Sequence, residues 1–233
     1  MSARSIKWLT MLSLVLCLLN SQSAMAAHGR FDRHGIYDGF NDNHHITIGA
    51  NADYYFGDLE TKALFASSQL AGSFNLGYRY QFSQYAAVGI NFTGGMLRGD
   101  DTYRYHFQSL YESTELLYTC FPIPGIGLYL STGASLMVSS VDFSGKSSTG
   151  ISYANKEISL SPMIPIYVGY LFNIGDHSRL GFQFSYHTTL MDTPNKTLDG
   201  YPFKDKEGNI IGEKDSQNID SYFSFGIRYD VYF

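Results

Sequence analysis

The last eleven residues, Phe223-Ser224-Phe225-Gly226-Ile227-Arg228-Tyr229-Asp230-Val231-Tyr232-Phe233, decide the fold. Each odd position carries a large apolar or aromatic side chain. The even positions carry Ser224, Gly226, Arg228, Asp230 and, last, Tyr232. A period of two is the mark of a β-strand, whose successive side chains point to opposite faces. One face of this strand is therefore continuously apolar, and the other sets an arginine beside an aspartate among small residues.

The same alternation recurs upstream. Ile46, Ile48, Ala50, Ala52, Tyr54 and Phe56 alternate with Thr47, Gly49, Asn51 and Asp53, and Leu70 to Tyr80 repeats the pattern with Arg79 on the polar side. Ala86 to Thr93 forms a third run, and a fourth, from about Tyr105 to Phe121, places Glu115 opposite Leu116. Leu128 to Ser139, Ile158 to Phe172 and Leu180 to His187 follow, so that the terminal stretch is the eighth strand. The connections after strands two, four and six are tight (Phe82 to Gln84, Pro122 to Ile126, Asn173 to Arg179), and those after one, three, five and seven are mostly longer. The longest spans Asp192 to Asn218. Alternating short and long connections predict an all-β, eight-stranded antiparallel up-and-down barrel with one plain end, where both termini meet, and one decorated end.

Alternation alone does not say which face is outside. In a water-soluble barrel the polar face would be rich in Lys and Glu. Here it is Gly, Ser, Thr, Asn and Tyr with a few charges of both signs: Asp53, Arg79, Glu115, Arg228 and Asp230. Most Lys and Glu fall in the loops. Such a face suits a crowded lumen, where desolvated charges must pair, and the apolar face is then turned to lipid. Runs of eleven or more residues match the roughly 9 to 11 tilted residues that cross a bilayer. Tyr78, Tyr80, Tyr118, Tyr170, Phe172, Tyr229 and Phe233 cluster near the plain end, as an interfacial girdle would. Composition agrees: 16% of the 233 residues are charged, against about 25% in soluble domains, and 16% are aromatic. The aromatic content excludes a disordered chain. A formal net charge of -5 removes the basic footprint of a nucleic-acid binder.

The terminal strand, with Tyr229 and Val231 leading to a final Phe233, resembles the C-terminal strand by which bacterial outer-membrane barrels are recognised for insertion. Ile46 to Phe233 as a whole resembles the outer-membrane β-barrel domain family, in particular its small eight-stranded, porin-like and OmpX-like members. That resemblance implies the outer membrane of a Gram-negative bacterium, short turns in the periplasm and long loops outside. It also implies membrane lipid and the barrel-assembly machinery as partners, a monomer, and no cofactor.

The N-terminus fits this destination. Arg4 and Lys7 precede the apolar run Trp8 to Leu19, and Ala24-Met25-Ala26 offers the small residues of a cleavage site. Residues 1–26 read as a secretory signal peptide, whose apolar core is shorter than the roughly 20 residues of a membrane-spanning helix. A lipid anchor on Cys17 is set aside, because Val15 and Leu16 stand where small residues are needed. Cleavage leaves Cys120 as the one cysteine, so no internal disulfide is available. Residues 27–44 read as a flexible periplasmic tail, and 45–233 as the barrel domain.

Several groups invite a functional reading. Asp53, Arg79, Glu115, Arg228 and Asp230 are expected to fasten the lumen, since eight strands enclose little more than side chains; an ion path is the alternative. His187 with Ser185 and a carboxylate such as Glu115 has the residue types of a hydrolytic triad, which makes a lipid-modifying barrel enzyme the rival to a non-enzymatic barrel. The His-x-Ser-Asn arrangement of the barrel lipid deacylases is absent. Arg98-Gly99-Asp100 is expected at the tip of the loop after strand three, where it would serve adhesion or simply turn the chain. His28, His34, His44 and His45 are too irregularly spaced to define a metal shell, and no metal is expected. Within 192–218, Lys204 to Asn209 supplies turn residues between Phe203 and Ile210-Ile211, which predicts a hairpin arm and the foremost place for a surface ligand. Pro162 and Pro165 lie inside strand six, where each removes a ladder donor, so a bulge or local opening is expected there.

Overall fold

A computed structural model of the chain describes residues 43–56, 69–100, 105–123, 125–146, 152–175, 177–190, 203–204, 210–211 and 220–233. The expected signal peptide, His28 and His34 lie outside the described residues. The barrel strands are β1 (His44–Phe56), β2 (Leu70–Ser83), β3 (Ala86–Asp100), β4 (Tyr105–Cys120), β5 (Leu128–Lys146), β6 (Ser152–Gly175), β7 (Ser178–Thr189) and β10 (Ser221–Tyr232). They close in the order β1-β10-β7-β6-β5-β4-β3-β2, every pair antiparallel. Two short strands between β7 and β10, β8 (Phe203–Lys204) and β9 (Ile210–Ile211), pair with each other as the predicted hairpin.

The seam joins the ends of the described barrel. β1 and β10 pair from His45 with Tyr232 to Phe56 with Ser221. At the plain end the His44 amide donates to the Phe233 carbonyl at 3.2 Å and the Phe233 amide to the His44 carbonyl at 3.0 Å. No strand edge is left open along this seam, which is what a lipid-embedded sheet requires.

The faces are arranged inside out relative to a soluble protein. In β2, Phe74, Leu76, Tyr78, Tyr80 and Phe82 are exposed while Ser73, Asn75, Arg79, Gln81 and Ser83 between them are buried. Phe74 is 74% exposed and Arg79 only 4%. β10 repeats this, with Phe225, Ile227, Tyr229, Val231 and Phe233 outward and Asp230 buried. An apolar exterior around a polar interior is stable against hydrocarbon and not against water.

Three expectations need adjusting. β5 and β6 run seven and six residues beyond the alternation that announces them: Ser140 to Lys146 and Ser152 to Glu157 pair on past the lipid-facing stretch. These segments are rich in Ser, Asp, Asn and Lys. Beyond the bilayer neither strand face meets lipid, so the period-two signal fades although the ladder continues. For the same reason the connections after β3 and β5 shrink to 101–104 and 147–151, and only 57–69 and 190–220 remain long. Arg98-Gly99-Asp100 is not a loop tip but the end of β3, paired with Gln108, Phe107 and His106.

The two prolines in β6 are accommodated differently. The Pro162 carbonyl accepts from the Leu190 amide at 2.9 Å, so its missing N–H faces the point where β7 has already ended. Pro165 faces β5, and there the ladder lapses at Gly133 and Ala134 before resuming in unchanged register at Ser135 with Met163. The Thr132 hydroxyl donates to the Pro165 carbonyl at 3.0 Å. The expected opening is therefore a local lapse without a register shift.

Candidate functional site: the barrel lumen

The inward residues form successive levels. Nearest the plain end, Asp230 is fully buried and receives Arg79 Nη2 from β2 at 2.6 Å, Arg228 Nε from its own strand at 2.6 Å, and the Thr47 hydroxyl from β1 at 2.9 Å. Register explains the meeting: Thr47 lies directly opposite Asp230 on one side and Gly77, two residues before Arg79, on the other, so the arginine of β2 and the aspartate of β10 meet across β1. Arg228 Nη2 donates to Thr47 at 2.8 Å. The guanidinium of Arg79 lies 5.5 Å from the centre of the Phe121 ring and that of Arg228 5.2 Å from Tyr129, close enough for cation–π attraction. Arg179 sits over Tyr232 and donates to Asn173.

A second level centres on Glu115, also fully buried. Tyr167 donates to its Oε2 at 2.5 Å and Asn91 Nδ2 at 3.0 Å. His187 Nδ1 stands 3.5 Å from Oε1, and His187 Nε2 lies 3.0 Å from Ser185 Oγ. The imidazole is stacked on Tyr222, with ring centres 4.3 Å apart, and meets Tyr167 edge-on. All three members of this Ser–His–Glu set are buried on the lumen side, walled by two tyrosines. The third level is apolar. Tyr55, Leu97, Phe107, Met137, Val141 and Met163 form one cluster, within which Tyr111 donates to Asp53 at 2.9 Å.

Tyr129 links the lower two levels. Its ring lies across Gly169 of β6, where a β-carbon would come within 2.4 Å of the phenol, and its hydroxyl donates to Gln183 at 3.3 Å. Between these two levels lies a cavity of about 30 Å³ whose lining includes Thr47, Asn75, Arg79, Asn91, Tyr167 and Arg228.

Of the five charges singled out in the sequence, Arg79, Arg228 and Asp230 meet, whereas Asp53 and Glu115 each sit in separate company higher in the lumen. Ser185 and His187 do approach Glu115. His44 and His45 point to opposite faces, His44 outward against Tyr78 and His45 into the lumen beside Tyr232. Sequence reasoning did not single out Thr47, Asn91, Tyr111 or Tyr167, the partners of the carboxylates. Their signal was their parity: each falls on the polar face, Thr47 and Asn91 directly opposite Asp230 and Glu115 on a neighbouring strand, whereas Tyr111 and Tyr167 reach their carboxylates across the lumen from strands that are not adjacent.

No protein-family model and no curated protein matches the chain. Among solved structures it is similar to surface protein A of Neisseria, at 11% identity and a TM-score of 0.45, covering 82% of this chain and 97% of that one. The attachment invasion locus protein Ail of Yersinia pestis gives 16% and 0.44, over 81% and 99%, and a major outer membrane protein of Thermus thermophilus gives 10% and 0.46, over 82% and 99%. Closed strand order and an apolar exterior make this chain a β-barrel of the membrane-embedded type.

Proposed function

We propose that the protein is a non-enzymatic barrel of the Gram-negative outer membrane, monomeric, with a plugged lumen and a structural or surface-exposed role. One observation carries this reading: side chains fill the described lumen but for a cavity of about 30 Å³, with Asp230, Glu115 and Asp53 each fully buried on its own partners. Eight strands leave no spare bore. The Ser185–His187–Glu115 set has the spacing of a triad, yet a lipid substrate would have to displace Tyr167 or Tyr222 to touch it. The long segment 192–218, with its β8–β9 hairpin, is the place for any extracellular ligand, and Tyr229, Val231 and Phe233 on the outward face of β10 serve as the insertion signal read by the barrel-assembly machinery. Residues 1–26 are the leader removed on export, and the chain before the barrel stays in the periplasm.

The refolded protein incubated with outer-membrane lipid, with acyl chains followed by mass spectrometry, tests the reading. No turnover is expected. Release or transfer of acyl chains that stops in His187→Ala would overturn it in favour of a lipid-modifying enzyme.

A further inference from the structure

We propose that the lumen cavity between Arg79 and Arg228 binds one small inorganic anion of the halide class. Two guanidinium groups here share a single carboxylate. Arg79 and Arg228 both pair with Asp230, and the other buried carboxylates described are held elsewhere, Glu115 by Tyr167 and Asn91, Asp53 by Tyr111 and Asp220 by Tyr55. With Arg179 a third buried arginine at this end, positive charge is in excess among the described residues, and a buried charge without a counter-charge is costly.

The donors left open are on Arg79. Its Nη2 is committed to Asp230, while Nε and Nη1, both buried, have no acceptor among the described residues. The Phe121 ring, 5.5 Å from the guanidinium carbon, carries no oxygen or nitrogen to accept from them. An anion beside the guanidinium would accept from one of these donors, Nε on one side or Nη1 on the other, and the aspartate would be shielded from it by the arginines and Thr47 that already saturate it.

Volume sets the class. A cavity of about 30 Å³ holds about two waters, hence one halide-sized ion with a single water. That room suits a halide with its water better than the bulkier tetrahedral oxyanions sulfate and phosphate. The companion water has a role on the page: Asn75 Oδ1, in the same lining, is buried and lacks a donor among the described residues.

Bromide is the probe. The full chain refolded and crystallised in bromide should show an anomalous peak within hydrogen-bond reach of Arg79 Nε or Nη1; density there without anomalous signal, meaning water only, would overturn the proposal. Asn75→Asp places a carboxylate in the lining at nearly constant shape. The variant should fold, lose the bromide peak, and lose the stabilisation of wild type by bromide over sulfate at equal ionic strength, a ligand effect that follows mass action. Wild type and variant compared in the same two salts cancel the general action of these ions on folding. A peak that persists in Asn75→Asp, or a salt preference identical in both proteins, contradicts the assignment of charge neutralisation.

Discussion

The two halves of the lumen bury carboxylates in opposite ways. Near the plain end Asp230 is neutralised by Arg79 and Arg228. Higher up, Glu115 and Asp53 are met by tyrosine hydroxyls and an asparagine, with His187 alone beside Glu115 as a group able to carry positive charge. The lower half is cation-rich and rests on counter-charge, and the upper half rests on neutral donors. The difference follows from strand composition: Arg79, Arg179 and Arg228 face the lower lumen, while Tyr55, Tyr111, Tyr167 and Tyr222 crowd the upper lumen and bring neutral hydroxyls to it.

Breaking each half should therefore cost differently. Asp230→Asn leaves two guanidinium groups facing each other without their counter-charge, and we expect it to lower unfolding stability by about 3–5 kcal/mol, read from urea midpoints of the protein folded in lipid vesicles. Tyr167→Phe takes one donor from Glu115 and should cost about 1.5–3 kcal/mol in the same assay. Gly169→Ala sharpens the boundary between the halves: its β-carbon would strike the Tyr129 ring, and the forced shift should cost about 1–3 kcal/mol. Glu115→Gln should cost least, about 1 kcal/mol or less, because Tyr167 and Asn91 can donate to an amide oxygen as well as to a carboxylate. An equal loss for Asp230→Asn and Glu115→Gln would erase the distinction between the halves.

Much of this was legible in the sequence where lipid enforces it. Parity separated Phe225 and Ile227 from Arg228 and Asp230 because one face must be apolar over the width of a bilayer, and it placed Glu115 inside although β4 has the least regular pattern. Where lipid no longer acts, the signal stops: the extensions of β5 and β6 and the ladder position of Arg98-Gly99-Asp100 carry no alternation to read. The lumen pairings were hidden for another reason. Which arginine meets which carboxylate depends on register across three strands, as in the reach of Arg79 past Gly77 and Thr47 to Asp230, and a single strand's sequence does not contain its neighbour's offset. Pro162 and Pro165 did announce a defect, but only the strand directions show that one faces the end of β7 and the other a lapse in β5.

The central claim is that these side chains plug the barrel, and conductance tests it most directly. Purified, refolded protein reconstituted in a planar bilayer should give no resolvable single-channel steps in molar KCl. Reproducible steps from the wild-type chain, abolished or rescaled by substitution at Arg79 or Arg228, would show an open path past Asp230 and contradict the account.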